Sequence, residues 1–405
     1  MSSASSGSTG RAADRPLDIF LVAGETSGDL LGASLMQRLR ERADNVRFRG
    51  IGGPEMIREG LASQFAMDDI TAMGFGQVIG KLPLILRRIR ETAAAIRRSP
   101  PDILVLIDSP DFNQRVAKRV RRALPHLAIV KYVSPTVWVW RPGRAKKLRP
   151  FVDHILALFP FEPEVHRRLG GPPTTYVGHP LLDRLSDLRP SADEERRRME
   201  DPPIVLVLPG SRRSEIEQLG WLFGQTVKRI RDKREADFIL PTLPAQLKRI
   251  EAAISAWPVK PRVVTTEMEK YAAFRRARAA LAASGTVTLE LALAHVPMVA
   301  AYRVPRWEEF IARRLAVATS AILPNIILGE RIVPELLQTD ANVESLTAAM
   351  EPLLSDTPQR CRQLEGFGRL DEIFGTGAET ASERAARIVM EVYENKRKLI
   401  SAVQH

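Results

Sequence analysis

From residue 17 onward, short apolar runs alternate with stretches whose apolar residues recur at helical spacing. In the first half the runs are "LDIFLVAG", "VRFRGIGG", "DILVLIDS", "AIVKYVSP", "DHILALF" and "TTYVGHP"; in the second they are "IVLVLPGS", "ADFILPT", "RVVTTE", "AALAAS" and "PMVAAYR". Most end in Gly, Pro or Ser and lead into turn or helix-compatible residues, which predicts strands. One such helical segment, "LLGASLMQRLRE", sets Leu31, Leu35 and Leu39 on a single face. Alternation of this kind predicts an α/β chain of parallel sheets covered on both faces by helices. Residues 181–203 are polar, charged and bracketed by proline, and read as a linker with a short helix. The expected organisation is a disordered polar tail at 1–16, a first domain at 17–185, a linker at 186–203, a second domain at 204–375, and a helical segment at 376–405 that can pack back on the first domain. Ligands of open α/β sheets sit outside the carboxyl ends of the strands, so two Rossmann-like domains are expected to face one another across a cleft.

Composition narrows the class. The 405 residues are 44% apolar and 27% charged, as in a soluble globular chain with room for two cores. Sixty Lys and Arg against 48 Asp and Glu give +12, which favours phosphate, nucleic acid or an anionic membrane surface as partner. Cys361 is the only cysteine, so no disulfide forms within the chain, which fits a reducing cytoplasm. The six histidines show no metal-ligand spacing. "MSSASSGSTGRAADRP" lacks the apolar core of a signal peptide. The apolar stretch 280–301 approaches the length of a bilayer span, but Glu290, His295, Pro297 and the Ser284-Gly285 break make it strand, turn, helix and strand.

Strand ends carry the candidate chemistry. After "LDIFLVA", Gly24 and Gly28 allow close backbone approach, while Ser27 and Asp29 are helix-capping residues that leave amides aimed at an anion or polar ligand; a plain capped turn is the competing reading. Asp108 follows an apolar strand directly, where partial desolvation suits a carboxylate to act as general base; a helix N-cap is the alternative, and is preferred for Asp111. In "IVLVLPGSRRSEIEQL" the helix-start amides, the Ser211 hydroxyl and the Arg212 guanidinium make a phosphate cradle. In "AASGTVTLELAL" Ser284, Gly285 and Thr286 open a helix, and Glu290 is placed to accept two ribose hydroxyls, unless it is only a solvated helix carboxylate. His295 reads as a core or turn histidine.

Residues 73–99, "MGFGQVIGKLPLILRRIRETAAAIRRS", place Phe75, Val78, Ile79, Leu82 and Leu86 beside Lys81, Arg87, Arg88 and Arg90. That face suits the headgroup layer of an anionic bilayer, with a buried helix carrying a basic outer face as the alternative. Pro83 favours the membrane, because proline disrupts a helix meant for regular core packing.

Taken in order, "LVAGETSGDLLGASL", "IGGPEM", "MGFGQVIGKLP", "IDSPDFN", "YVSPTVWVWRPGR", "FPFEP", "VGHPLLD", "LPGSRRSEIE", "ASGTVTLELAL" and "LPNIILGERIVPELLQ" resemble the lipid-A-disaccharide synthase family over residues 17–340. The resemblance implies an inverting GT-B glycosyltransferase, peripheral on the inner face of a bacterial cytoplasmic membrane, without metal or other cofactor. The implied donor is UDP-2,3-diacylglucosamine and the implied acceptor 2,3-diacylglucosamine 1-phosphate (lipid X), giving lipid A disaccharide 1-phosphate and UDP. Asp108 matches the base acting on the acceptor 6-hydroxyl, Arg212 the group holding the leaving diphosphate, and Glu290 the nucleotide-sugar carboxylate. Asn325 falls in a similar functional segment, and Glu25 and Ser27 line the acceptor side. The resemblance also implies a homodimer paired through exchanged carboxyl-terminal segments. This chain departs from the family pattern in carrying Ser109 where alanine follows the aspartate.

Two other readings fit parts of the sequence. Another GT-B UDP-sugar enzyme, a GlcNAc transferase or a 2-epimerase, would need no lipid-binding surface. A nucleic-acid binder would use the charge, but Trp138 and Trp140 do not form an alternating basic and aromatic platform.

Overall fold

The computed structural model describes residues 15–71, 75–139, 141–304, 320–375 and 379–403. The chain divides into two compact units. One comprises the chain through Val137, Pro142–Pro180 and the segment from Glu379; the other comprises Trp138–Arg141 and Leu181–Ala378.

Among the described residues, the first unit carries a seven-stranded sheet in the order β3-β2-β1-β4-β5-β6-β7. The strands are β1 Leu17–Ala23, β2 Val46–Ile51, β3 Ala62–Ser63, β4 Ile103–Ile107, β5 Ala128–Tyr132, β6 His154–Ala157 and β7 Thr174–Tyr176. The second unit carries six, in the order β10-β9-β8-β11-β12-β13, from β8 Ile204–Leu208, β9 Asp237–Pro241, β10 Arg262–Val264, β11 Ala279–Ala283, β12 Met298–Tyr302 and β13 Glu335–Leu337. Every pairing is parallel. The central strands β4, β5, β8 and β11 are buried along their whole length, which is why, Lys131 of β5 apart, they read as continuous apolar runs without alternation. Each of the eleven apolar runs that predicted a strand holds one. β3 and β13 fall outside those runs: Ala62–Ser63 is only two residues long, and Glu335–Leu337 opens on a carboxylate.

In the first unit, the helix Ala381–Val403 buries Ala385, Ala386, Ile388 and Val389 in one core cluster with Leu35 and Leu39 of the helix Thr26–Arg42. The last described segment of the chain thus completes the first unit's core. In the second unit, the charged stretch after Leu181 forms the helices Leu185–Leu188 and Ala192–Met199. Ser191 and Glu194 cap the latter reciprocally, each side chain accepting from the other's amide. Arg198, 1% exposed, donates to the carbonyls of Phe274, Arg275, Ala294 and His295 at 3.1, 2.7, 2.8 and 3.1 Å. Arg278 donates to the carbonyls of Arg198, Glu200 and Leu354, and Arg360 donates to that of Arg278. These three guanidinium groups are thus committed to main-chain carbonyls inside the unit, several of them at helix ends.

The helix Phe75–Arg98 continues through Pro83, contrary to the disruption the sequence suggested. Pro83 is exposed, and the turns beyond it are anchored by Ile89 and Ile96 in a core cluster against which Ile85 and Leu86 also pack. Leu86 therefore belongs to the packed face, which corrects its expected place on a membrane face: three residues from Ile89, it shares the buried stripe. Leu82 stays 41% exposed. The side chains of Phe75, Val78 and Ile79 lie outside the described residues. Arg88 is occupied locally, paired with Asp69 and Glu91 at 2.6 Å each and stacked over Phe65.

Candidate functional site

In each sheet the strand order reverses once at the centre, between β1 and β4 in the first and between β8 and β11 in the second. Successive connections there leave to opposite faces and open a crevice at the carboxyl ends. The candidate residues gather at these two points.

At the first, β1 and β4 run side by side, with Ala23 opposite Ile107. Gly24 follows β1 and Asp108 follows β4. A side chain at Gly24 would lie 2.6 Å from the Ser109 hydroxyl oxygen and 2.7 Å from its Cβ, so this glycine is required by the close approach of the two turns. The Thr71 hydroxyl donates to the Gly24 carbonyl at 2.9 Å. Glu25 occupies the N-cap of the helix Thr26–Arg42, and Glu25 and Ser27 are exposed. Gly28 is buried, its missing Cβ position 3.7 Å from the Asp108 Cβ.

Asp108 and Ser109 both adopt positive φ, 48° and 39°. For residues with side chains this conformation costs roughly 1–3 kcal/mol each and persists where surrounding bonds over-determine it. Here the Asp108 amide donates to the Tyr132 carbonyl at 2.9 Å, and the Asp108 carbonyl accepts from Asn113 Nδ2 and Lys131 Nζ, each at 2.9 Å. Pro110 then starts the next helix, Pro110–Ala123. The turn leaves Asp108 half-buried. Asp111 is exposed in the first helical turn and pairs with Arg144 at 3.0 Å.

At the second reversal, Gly210 follows β8 with φ 110°. The amides of Ser211 and Arg212 were expected to cradle a phosphate. Both instead donate to Glu215 Oε2, at 3.0 and 3.1 Å. Glu215 is the third residue of the helix Arg213–Lys233, and its carboxylate reaches back to the entering amides. What remains outward is the Arg212 guanidinium, 79% exposed and 3.5 Å from the other Glu215 oxygen. After β11, the Ser284 hydroxyl donates to the Ala321 carbonyl at 2.7 Å, Gly285 faces open space, and Thr286 is exposed at the start of the helix Val287–Leu293. Glu290 is 15% exposed and forms an ion pair with Lys270 of the helix Glu267–Arg276, which follows β10. Lys270 also lies over the rings of Tyr271 and Phe274, at 5.3 and 5.4 Å. Burial and the nearby Glu290 charge together raise the Tyr271 hydroxyl well above the ordinary phenol range.

Two expected site residues serve the scaffold. Asp29 is 1% exposed and accepts from the amides of Gly53, Glu55 and Met56 at 2.8–3.0 Å, so it caps the helix Pro54–Arg58 and offers nothing to a ligand. It was misplaced because it lies a turn inside its own helix, where its side chain meets the neighbouring loop. Asn325 is 2% exposed; Oδ1 accepts from Ile332 and Val333, and Nδ2 donates to the Val333 carbonyl and to Glu335. All of its hydrogen-bonding capacity is committed to bracing the approach to β13.

Three residues missed in the sequence adjoin the candidate residues of their own unit: Lys131 in the first, and Glu215 and Lys270 in the second. Lys131 had a signal, a lone charge within the buried run "AIVKYV". Glu215 had one in its spacing of three from Arg212. Lys270 reaches Glu290 from a neighbouring connection and had none.

Against known proteins, the profile of the family described as Lipid-A-disaccharide synthetase matches residues 19–389. The lipid-A-disaccharide synthase of Nitrobacter hamburgensis is 54% identical over 390 residues, covering 96% of this chain and 98% of that protein. Among solved structures, UDP-GlcNAc 2-epimerase from Neisseria meningitidis bound to UDP-GlcNAc superposes with a TM-score of 0.62 at 10% identity, covering 93% of this chain and 100% of that one. MurG from Acinetobacter baumannii superposes at 0.56 and 13%, with coverage of 93% and 100%. At such identities these two structures speak to the fold alone, two Rossmann-like units of the GT-B kind.

Proposed function

This chain belongs to the lipid-A-disaccharide synthase family and is a glycosyltransferase of GT-B fold, and on that premise we propose how its residues divide the reaction. The donor is UDP-2,3-diacylglucosamine, bound by the second unit at the turns after β8 and β11. The acceptor is lipid X, bound by the first unit at the turns after β1 and β4, with Gly24, Glu25, Ser27 and Gly28 forming the wall beside Asp108. The Asp108 carboxylate takes the proton of the acceptor 6-hydroxyl. The oxygen attacks the donor's anomeric carbon from the face opposite the diphosphate, and the bond from that carbon to the diphosphate oxygen breaks. Asp108 retains the proton, configuration inverts, and UDP leaves carrying the displaced electron pair.

Charge grows on the diphosphate as that bond breaks, and the exposed Arg212 guanidinium is the group suited to meet it. Ser211, Ser284, Gly285 and Thr286 contribute polar surface of the donor turns. Glu290 receives ribose hydroxyls in exchange for its contact with Lys270.

The observation that carries this reading is the placement of Asp108: a half-buried carboxylate at the central reversal of the sheet, in a left-handed turn held by three hydrogen bonds. We expect Asp108→Ala to lose turnover by about 100-fold or more while binding UDP normally. Arg212→Ala is expected to weaken UDP binding by about 10- to 100-fold. Calorimetric UDP titration beside a product assay checks both, and near-normal turnover in the Asp108 variant refutes the base assignment.

Among the described residues no helix is long and apolar enough to cross a membrane. We propose peripheral attachment to the inner face of the cytoplasmic membrane through the exposed side of the helix Phe75–Arg98 around Leu82, and pairing of two chains, which sedimentation reads as twice the chain mass.

A further inference from the structure

Lys131 lies in the middle of the first unit's sheet and is 2% exposed. Its strand neighbours Ile129, Val130 and Tyr132 are buried core residues. A lysine here is costly: burial pushes its ammonium down to about 8, and only the charge of Asp108 opposes that shift. A methionine would fill the same space without the penalty. What the ammonium does is specific, since it donates to the main-chain carbonyl of Asp108 at 2.9 Å.

That carbonyl is the hinge of the turn. It lies between two residues of positive φ, Asp108 and Ser109, and it receives a second bond from Asn113 Nδ2, which also donates to the Ile107 carbonyl at 2.9 Å. Asn113 is itself wholly buried, and its Oδ1 has no hydrogen-bond partner, so this amide is oriented by its two carbonyl contacts. The Asp108 peptide is therefore fixed by one donor from the following helix and one from the adjacent strand. Relaxing either lets Asp108 return toward ordinary extended backbone, which swings its carboxylate to the other side of the strand end.

We infer that Lys131 is a positioning residue for the glycosyl-transfer reaction: it locks the left-handed turn that aims the Asp108 carboxylate at the acceptor hydroxyl. The inference rests on Asp108 being the base. In the wild type the lysine never touches substrate, so its loss acts on the chemical step and leaves ground-state binding alone.

The test is K131M, near in volume and without charge or donor, assayed with lipid X and UDP-2,3-diacylglucosamine beside D108N. We expect kcat of K131M to fall on the order of 100-fold, with KM for both substrates within about twofold and a melting temperature no lower than wild type. An unimpaired kcat overturns the inference. So does a fall in activity that comes with a lower melting temperature, because Lys131 would then be holding the fold. D108N separates the two readings: if it keeps turnover, the base assignment fails and the inference with it; if it is inactive while K131M is unimpaired, the inference alone fails.

Discussion

At the scale of single residues, the two central turns of the first sheet fit against each other without slack. Gly24 gives up its side chain so that the Ser109 hydroxyl oxygen can stand 2.6 Å from where a Cβ would be, and Ser109 adjoins Asp108, the proposed base. Gly24→Ala is expected to cost about 1–3 kcal/mol of stability and to depress turnover, because the added methyl must displace the Asp108-Ser109 turn. Ser109→Gly in the same chain removes both clashing atoms and tolerates positive φ, so it should restore most of the loss in a double-mutant cycle; additive effects would contradict the contact. Lys131 gives a pH signature. Its folded-state pKa of about 8 lies below the ordinary 10.5, so between those values the unfolded chain holds a proton that the folded one has released. Wild-type stability therefore gains on K131M as pH rises through that window, and denaturant melts should show the gap in favour of K131M narrowing there. Asp108 and Arg212 were candidates because they stand in the turns that end apolar strands, and Glu290 because it is a lone carboxylate in an apolar helix. Asp29 and Asn325 were not, because a polar residue next to a site motif looks the same whether it faces ligand or caps a remote loop; only the partners Gly53, Met56, Ile332 and Val333 decide it.

At the scale of elements, buried parallel strands are easy to read because each is a continuous apolar run, as "ILVLI" and "IVLVL" show. Among the short edge strands, β7 and β10 lie in legible runs, whereas β3 and β13 are marked only by pairing with a neighbour. The helix Phe75–Arg98 was ambiguous for a further reason: its apolar residues serve more than one environment. Ile85, Leu86, Ile89 and Ile96 pack on the sheet, while Leu82 and Arg87 are exposed. Leu86→Ser should lower stability by about 1–2 kcal/mol. Leu82→Ser should leave the melt unchanged and reduce sedimentation with anionic vesicles. Equal vesicle binding by wild type and Leu82→Ser would remove this part of the helix from the membrane contact.

At the scale of the whole molecule, both units use one scheme, a parallel sheet whose order reverses once and whose functional turns leave the two strands at the reversal. That scheme was visible in the alternation of runs and helices. The meaning of the +12 charge was less so. Arg198, Arg278 and Arg360 are each at most 5% exposed and bind main-chain carbonyls, so part of the basic excess is internal scaffolding whose guanidinium groups are not open to direct contact with phosphate or lipid. The charged stretch before β8 looked like a free linker for the same reason: composition cannot tell an arginine in water from one buried against four carbonyls. The assignment of glycosyl transfer to this chain is tested by mass analysis of the product after incubating the full chain with lipid X and UDP-2,3-diacylglucosamine. The expected product is a tetra-acylated disaccharide 1-phosphate with one UDP per disaccharide, both reduced about 100-fold or more when Asp108→Ala replaces the wild type. Turnover of the sugar nucleotide without disaccharide, or disaccharide formation undiminished in that variant, would contradict it.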